Sequence, residues 1–154
     1  MIYLWLKWTH IISATLLFGT GIGTAFYKYW ADLQGDVRAQ CVVMRGVVLA
    51  DWWVTTPAIL IQLVTGLWMV AIADYSLLEG WVFWALVLYL LAGACWLPVV
   101  WLQIRMRSLV EKAVAEEAEL PQRYYTYQRI WLALGVPAFS ALVVVFYLMV
   151  FKPA

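Results

Sequence analysis

The sequence predicts an all-α transmembrane four-helix bundle, up-and-down, and three observations carry that prediction. Of the 154 residues, 66% are hydrophobic and 12% are charged, against about 25% charged in an ordinary soluble domain. So short a chain cannot hide that much apolar side chain within itself, and a disordered chain needs the opposite balance. The apolar residues also gather into four stretches, each long enough to cross a hydrocarbon core that takes roughly 20 helical residues. Finally, 11 Trp and 9 Tyr supply the amphipathic rings favoured at a membrane–water interface. The lipid bilayer is therefore the expected surrounding. A net charge of +1 argues against a nucleic-acid partner, which needs a basic patch.

The first helix is expected from Ile2 to about Trp30, broken by Lys7 and His10, with Lys28 near its end. It reads as a retained span and not a cleaved leader, because its apolar run is too long and Lys28 follows it. The second is expected over about 47–73, with Asp51 near its start. The third, about 81–104, and the fourth, 130–151, carry no charge. None shows the short alternating pattern of a barrel strand. The connectors are short, so residues 1–154 read as one four-helix domain with antiparallel neighbours. Residues 105–120 lack Gly and Pro and stop at Pro121, which predicts an extension of the third helix beyond the membrane. Its Glu and Lys residues form a solvated face, or else a partner-binding one.

Basic residues set the orientation. Lys28, Arg38, Arg45, Arg105, Arg107, Lys112, Arg123 and Arg129 flank the 1–2 and 3–4 connectors. The opposite side holds Lys7, Lys152 and an acidic hairpin, Asp74–Glu79. This predicts both termini on the periplasmic side of a bacterial inner membrane. Cys41 and Cys95 fall on different spans, one of them at the reducing cytoplasmic side, and are expected to stay unpaired. No CxxC or CxxCH sequence is present.

Ionisable groups inside a span point to function by default. His10 is the only histidine, placed roughly 12 Å below the outer surface at 1.5 Å per residue. Lys7, Ser13, Ala14, Leu17 and Gly21 share its helix face. That face is mostly small, so the imidazole is expected to look into the bundle, beside room for a flat, bulky group. Two readings are open. A neutral imidazole ligates haem iron, with Lys7 pairing a propionate. Alternatively, His10 hydrogen-bonds a neighbouring helix and Lys7 snorkels.

On the second helix, Asp51, Thr55, Ala58, Gln62, Thr65 and Met69 follow one face. Pro57 removes the usual donor to the Trp53 carbonyl. A polar face in a membrane must point at the bundle or at a wet cavity. It is the wall of a ligand or proton pathway with Asp51 at its mouth, or a set of interhelical hydrogen bonds. In the second case Asp51 pairs with an arginine such as Arg45, Arg105 or Arg129. Gly19 and Gly23 are spaced for close helix packing, within the bundle or in a dimer. Tyr89, Cys95 and Pro98, and Pro137, Ser140 and Tyr147, form no catalytic set. No HExxH, GxSxG or Walker sequence occurs. A zinc or copper site has no cluster to support it.

Four segments carry a resemblance: YLWLKWTHIISATLLFGTGIG from Tyr3, DWWVTTPAILIQLVTGLWM from Asp51, LLAGACWLPVVWLQIRMR from Leu90 and VPAFSALVVVFYLMVFKP from Val136. They resemble an uncharacterised bacterial family of predicted integral membrane proteins, over nearly the whole chain. More distantly, they resemble HemJ-type protoporphyrinogen oxidases, which bind haem b. The matching residues are Leu4 to His10, then Thr56, Pro57, Ala58, Gly66, Leu67 and Trp68, and finally Lys152 and Pro153. The third helix departs from that oxidase: it has neither the further histidine nor the lysine, and Phe83 to Ala85 stand nearest the lysine's place.

The resemblance implies haem b with His10 as axial ligand and Lys7 on a propionate. The Thr55–Gln62–Thr65 face is then expected to line the pocket, with Tyr89 and Tyr147 near the porphyrin edge. The sixth position is open, or filled by Met69 or by a second subunit. The expected role is redox, as a haem-dependent oxidoreductase or an electron carrier, with a second copy or a membrane redox protein as partner. The alternatives are a cofactor-free structural or assembly subunit, and a small transporter with Asp51 and Gln62 on its path.

Overall fold

Each apolar stretch forms one long helix in the computed structural model, which describes residues 1–78 and 80–153. The helices are α1 (Ile2–Gln34), α2 (Val37–Ile72), α3 (Gly80–Ala115) and α4 (Gln122–Phe151). All four are long and apolar enough to cross a membrane, and no strand occurs among the described residues. Tyr3 of α1, Met69 of α2, Trp81 of α3 and Lys152 just beyond α4 line one cavity. Both termini therefore lie at one end, and the 1–2 and 3–4 connectors lie at the other. This is the up-and-down transmembrane four-helix bundle. Glu79, assigned to the acidic hairpin, lies outside the described residues.

At the connector end the helices outrun the apolar stretches. α1 continues to Gln34 instead of Trp30, α2 starts at Val37 instead of 47, and α4 starts at Gln122 instead of 130. The extension of α3 forms as expected and ends at Ala115, short of residue 120. Packing sustains these turns where hydropathy does not. Cys41, Met44, Met106, Val110 and Tyr124 are buried together there. The early start of α2 has a local cause as well. Gly35 adopts φ 71, a left-handed helix stop. The Asp36 carboxylate then accepts from the backbone N–H of Arg38 at 2.9 Å and of Ala39 at 3.4 Å, capping the next helix. Both cysteines are free.

Asp51–Thr55 is a π-helical turn within α2, two residues ahead of Pro57. A proline lacks the N–H that closes an α-turn, and its ring presses on the carbonyl four residues back. Widening the turn relieves that contact. The Thr56 N–H and its hydroxyl (2.7 Å) both turn to the Asp51 carbonyl.

α3 packs along α4, the later half of α2 along α1, and its early half against α3. Ala85, Val145 and Leu148 hold α3 to α4 near the termini. Phe18 closes α1 onto α4 through Phe139 and Phe146, with ring centroids 4.5 and 5.4 Å away. The glycine expectation needs correcting within the chain. A Cβ on Gly19 or Gly23 would meet nothing within 4 Å, whereas one on Gly21 would lie 3.5 Å from Phe139. The i, i+4 pair faces away from the neighbouring helices, and the glycine between them makes the packing contact. Large apolar side chains such as Trp53, Leu60, Leu97 and Val150 are exposed on the outside, as lipid-facing positions are.

Candidate functional site

His10, Ser13 and Ala14 are buried on the inner face of α1, because that small-residue stripe meets the polar face of α2. The imidazole is fully engaged there. Gln62 Nε2 lies 2.8 Å from His10 Nε2, and Thr65 Oγ1 lies 2.9 Å from Nδ1. The Gln62 amide oxygen accepts from the Ser13 hydroxyl at 2.5 Å, which turns its N–H groups toward Nε2. The ring then carries its proton on Nδ1 and donates it to Thr65, whose hydroxyl donates to the Ile61 carbonyl at 2.6 Å. The result is a neutral imidazole in a set orientation. Gly66 lets α2 come this close: a Cβ there would stand 3.1 Å from His10 Cε1.

The imidazole forms part of the wall of a cavity of about 480 Å³ at the termini end, within the range of cofactor and ligand pockets. Its lining is mainly apolar, from all four helices. Lys7 and Lys152 also line it, from the early part of α1 and the residue just beyond α4. The Lys152 ammonium lies 5.6 Å from the ring centroids of both Tyr75 and Trp81, a cation–π arrangement that holds it inward. The donor set suits haem b in kind. It offers a neutral imidazole with its Nδ1–H anchored, as metal-ligating histidines require, and two cations for two propionates. Met69 lines the same cavity and is half-buried.

The polar line of α2 divides between two places. Gln62 and Met69 line the cavity at the termini end, and Thr65 sits behind the imidazole. Thr55 does not join them. With Asp51 it lines a second cavity, about 300 Å³, deeper in the bundle. Tyr89 lines both cavities, and its hydroxyl donates to the Ile59 carbonyl at 2.7 Å. Tyr147 is 53% exposed and stacks on Phe151, away from either cavity. The arginine expected beside Asp51 is absent among the described residues. Arg45 pairs with Glu111 at 2.8 Å, and Arg105 lies over Trp101 at 5.4 Å. Asp51 is buried beside Thr55 and Gln103 instead.

A charged cluster was not read from the sequence at all. Lys28 is 1% exposed, and its ammonium lies 2.6 Å from Asp32 Oδ2. Asp32 Oδ1 accepts from the Tyr124 hydroxyl at 2.5 Å and from Gln40 Nε2 at 3.4 Å. Lys28 also lies 4.6 Å from the Trp131 ring centroid. The i, i+4 spacing of Lys28 and Asp32 was the available signal; Tyr124 lies 92 positions from Asp32 and left none. Ser13, Gly66 and Lys152 were likewise visible in sequence without a role attached.

No curated protein matches the chain, and no solved structure does. A family model matches residues 4–153. The chain therefore belongs to the family described as predicted integral membrane protein (DUF2269), whose description states no activity.

Proposed function

We propose that this is a bacterial inner-membrane protein that binds haem b in the cavity at the termini end and has a redox role. The observation that supports it most is the placement of one neutral imidazole in the wall of an apolar cavity lined at its outer turns by Lys7 and Lys152. His10 Nε2 would hold the iron, in place of its present contact with Gln62. Thr65 keeps the ring's Nδ1–H and so holds its orientation. Lys7 and Lys152 neutralise the propionates. Met69, which lines the same cavity, would be a candidate second donor, unless a small molecule or a second subunit supplied it. Haem, when bound, supplies one-electron redox chemistry. The eight-to-two division of basic residues supports a periplasmic position for this cavity.

The test is a reduced-minus-oxidised spectrum of the protein purified in mild detergent from haem-replete cells. The expected result is a Soret and an α band, both lost in His10→Ala. A folded, colourless wild-type protein overturns the reading. A second reading, a cofactor-free assembly subunit, is favoured by the complete hydrogen bonding of His10, since a satisfied imidazole holds two helices together without a ligand. It predicts that colourless result, together with loss of a partner complex in His10→Ala.

A further inference from the structure

The second cavity gathers polar atoms that the protein does not satisfy. Asp51 Oδ2, Thr55 Oγ1, Gln103 Oε1 and Trp131 Nε1 are buried and make no hydrogen bond of good geometry among the described residues, although Thr55 and Gln103 lie beside the Asp51 carboxyl. All four side chains line this one cavity, and all are at least nine-tenths buried. They come from three helices: Asp51 and Thr55 from α2, Gln103 from α3, Trp131 from α4. Buried polar groups are ordinarily paired, and a site that strands several of them side by side calls for a ligand that pairs them. Pro57 contributes to this arrangement. The π-helical turn it imposes spans Asp51 to Thr55, and such turns recur at functional sites.

The chemistry of the four atoms selects the ligand. Three are acceptors, but the indole N–H is a donor only. A metal cation would serve the oxygens and leave the indole unpaired. Water serves both, since each molecule donates and accepts. The volume of about 300 Å³ is several times the roughly 30 Å³ that a water occupies in the liquid. Asp51 and Tyr89 are the titratable groups of the lining, from α2 and α3; the α1 and α4 residues of the lining carry none, and no Lys or Arg is present. Tyr89 is held by the Ile59 carbonyl, which leaves Asp51 as the group free to exchange a proton.

We propose that the second cavity is a hydrated chamber in which Asp51 binds and releases a proton. The step is a plain transfer: the carboxyl O–H breaks, the proton passes to a chamber water as hydronium, and the carboxylate remains. No electron moves. Tyr89, which lines both cavities, is the partition between this chamber and the His10 site. The proposal does not depend on haem, because its elements stand apart from His10.

Infrared spectroscopy of the full chain in lipid vesicles tests it. The expected signal is a protonated-carboxyl C=O band that shifts on transfer to D2O while the protein stays folded. It is lost in Asp51→Asn, moved in Asp51→Glu, and moved without loss in Thr55→Val and Gln103→Leu. The last two keep the test decisive if Asp51→Asn does not fold. Absence of a carboxyl band that responds to these substitutions overturns the proposal. So does a band that exchanges only on unfolding, since the chamber is then dry. A band displaced by sodium but not by potassium also overturns it, in favour of a cation site.

Discussion

The two cavities are each lined by all four helices, yet their polar groups end differently. Around His10 each polar side chain has found a partner in the protein: Gln62, Thr65 and Ser13 complete a neutral network. Around Asp51, four polar atoms make no hydrogen bond of good geometry. A completed network defines one geometry and suits a group that must be held still. An incomplete one needs solvent, and suits a group that must exchange something. The proline contributes to the difference. Beyond Pro57 the α-helix presents Gln62, Thr65 and Gly66 in regular register to α1. Ahead of it lies the π-turn, whose Asp51 and Thr55 line the second cavity with Gln103 and Trp131.

That contrast can be broken from several directions. The largest effect is expected from Lys28→Met, which strands the Asp32 carboxylate in a buried site. Removing one partner of a buried pair costs about 3–5 kcal/mol, read as reduced unfolding stability in detergent. Trp131 stands between Lys28 and the second cavity. A loss far below that range means water reaches Asp32, which would extend the wet region to the connector end.

One substitution made at two sites on α2 compares the cavities directly. Thr65→Val leaves the His10 Nδ1–H without its acceptor and is expected to cost about 1–3 kcal/mol, the penalty of an unsatisfied buried donor. Thr55→Val removes a hydroxyl that lies beside the Asp51 carboxyl without a hydrogen bond of good geometry and is expected to cost less than about 1 kcal/mol, the scale of one exchanged hydrogen bond. Equal losses at the two positions would erase the distinction drawn here. Both are measured by the same unfolding assay.

Glycines give a smaller, sharper comparison. Gly66→Ala places a methyl 3.1 Å from the imidazole and is expected to cost about 1–3 kcal/mol as local overpacking. It should also displace His10, which under the haem reading alters the Soret position. Gly19→Ala meets no neighbour in the chain. It is expected to leave monomer stability within about 0.5 kcal/mol, as at positions free of special contacts. A large effect at Gly19, seen together with a change of oligomeric size by gel filtration, would assign that face to a second copy.

Part of this site was legible before the fold was known. The interval from Asp51 to Met69 marked one polar face, and the small residues around His10 turned it inward; both follow from helical periodicity. The neighbour of His10 was also within reach, since a neutral imidazole on a buried face needs partners and Gln62 and Thr65 were the polar groups at a matching depth. What could not be read is the division of that face into two cavities. It depends on Gln103 and Trp131, which lie on helices with no positional tie to α2 in sequence. Lys152 belongs to the same class. Its place beside Tyr75 and Trp81 requires that α4 ends where α3 begins.

The sequence by itself determined four apolar helices, their alternating direction and the rarity of buried ionisable groups. Those follow from the free energy of placing side chains in lipid, which depends on composition and length alone. Tertiary structure alone decided the length of the helices at the connector end, where packing replaces hydropathy. It also decided which polar atoms meet and which are left without a partner. Hydrogen bonding is short-ranged and directional, so a rotation of one helix by a fraction of a turn changes the answer, and no single strand of residues contains that angle.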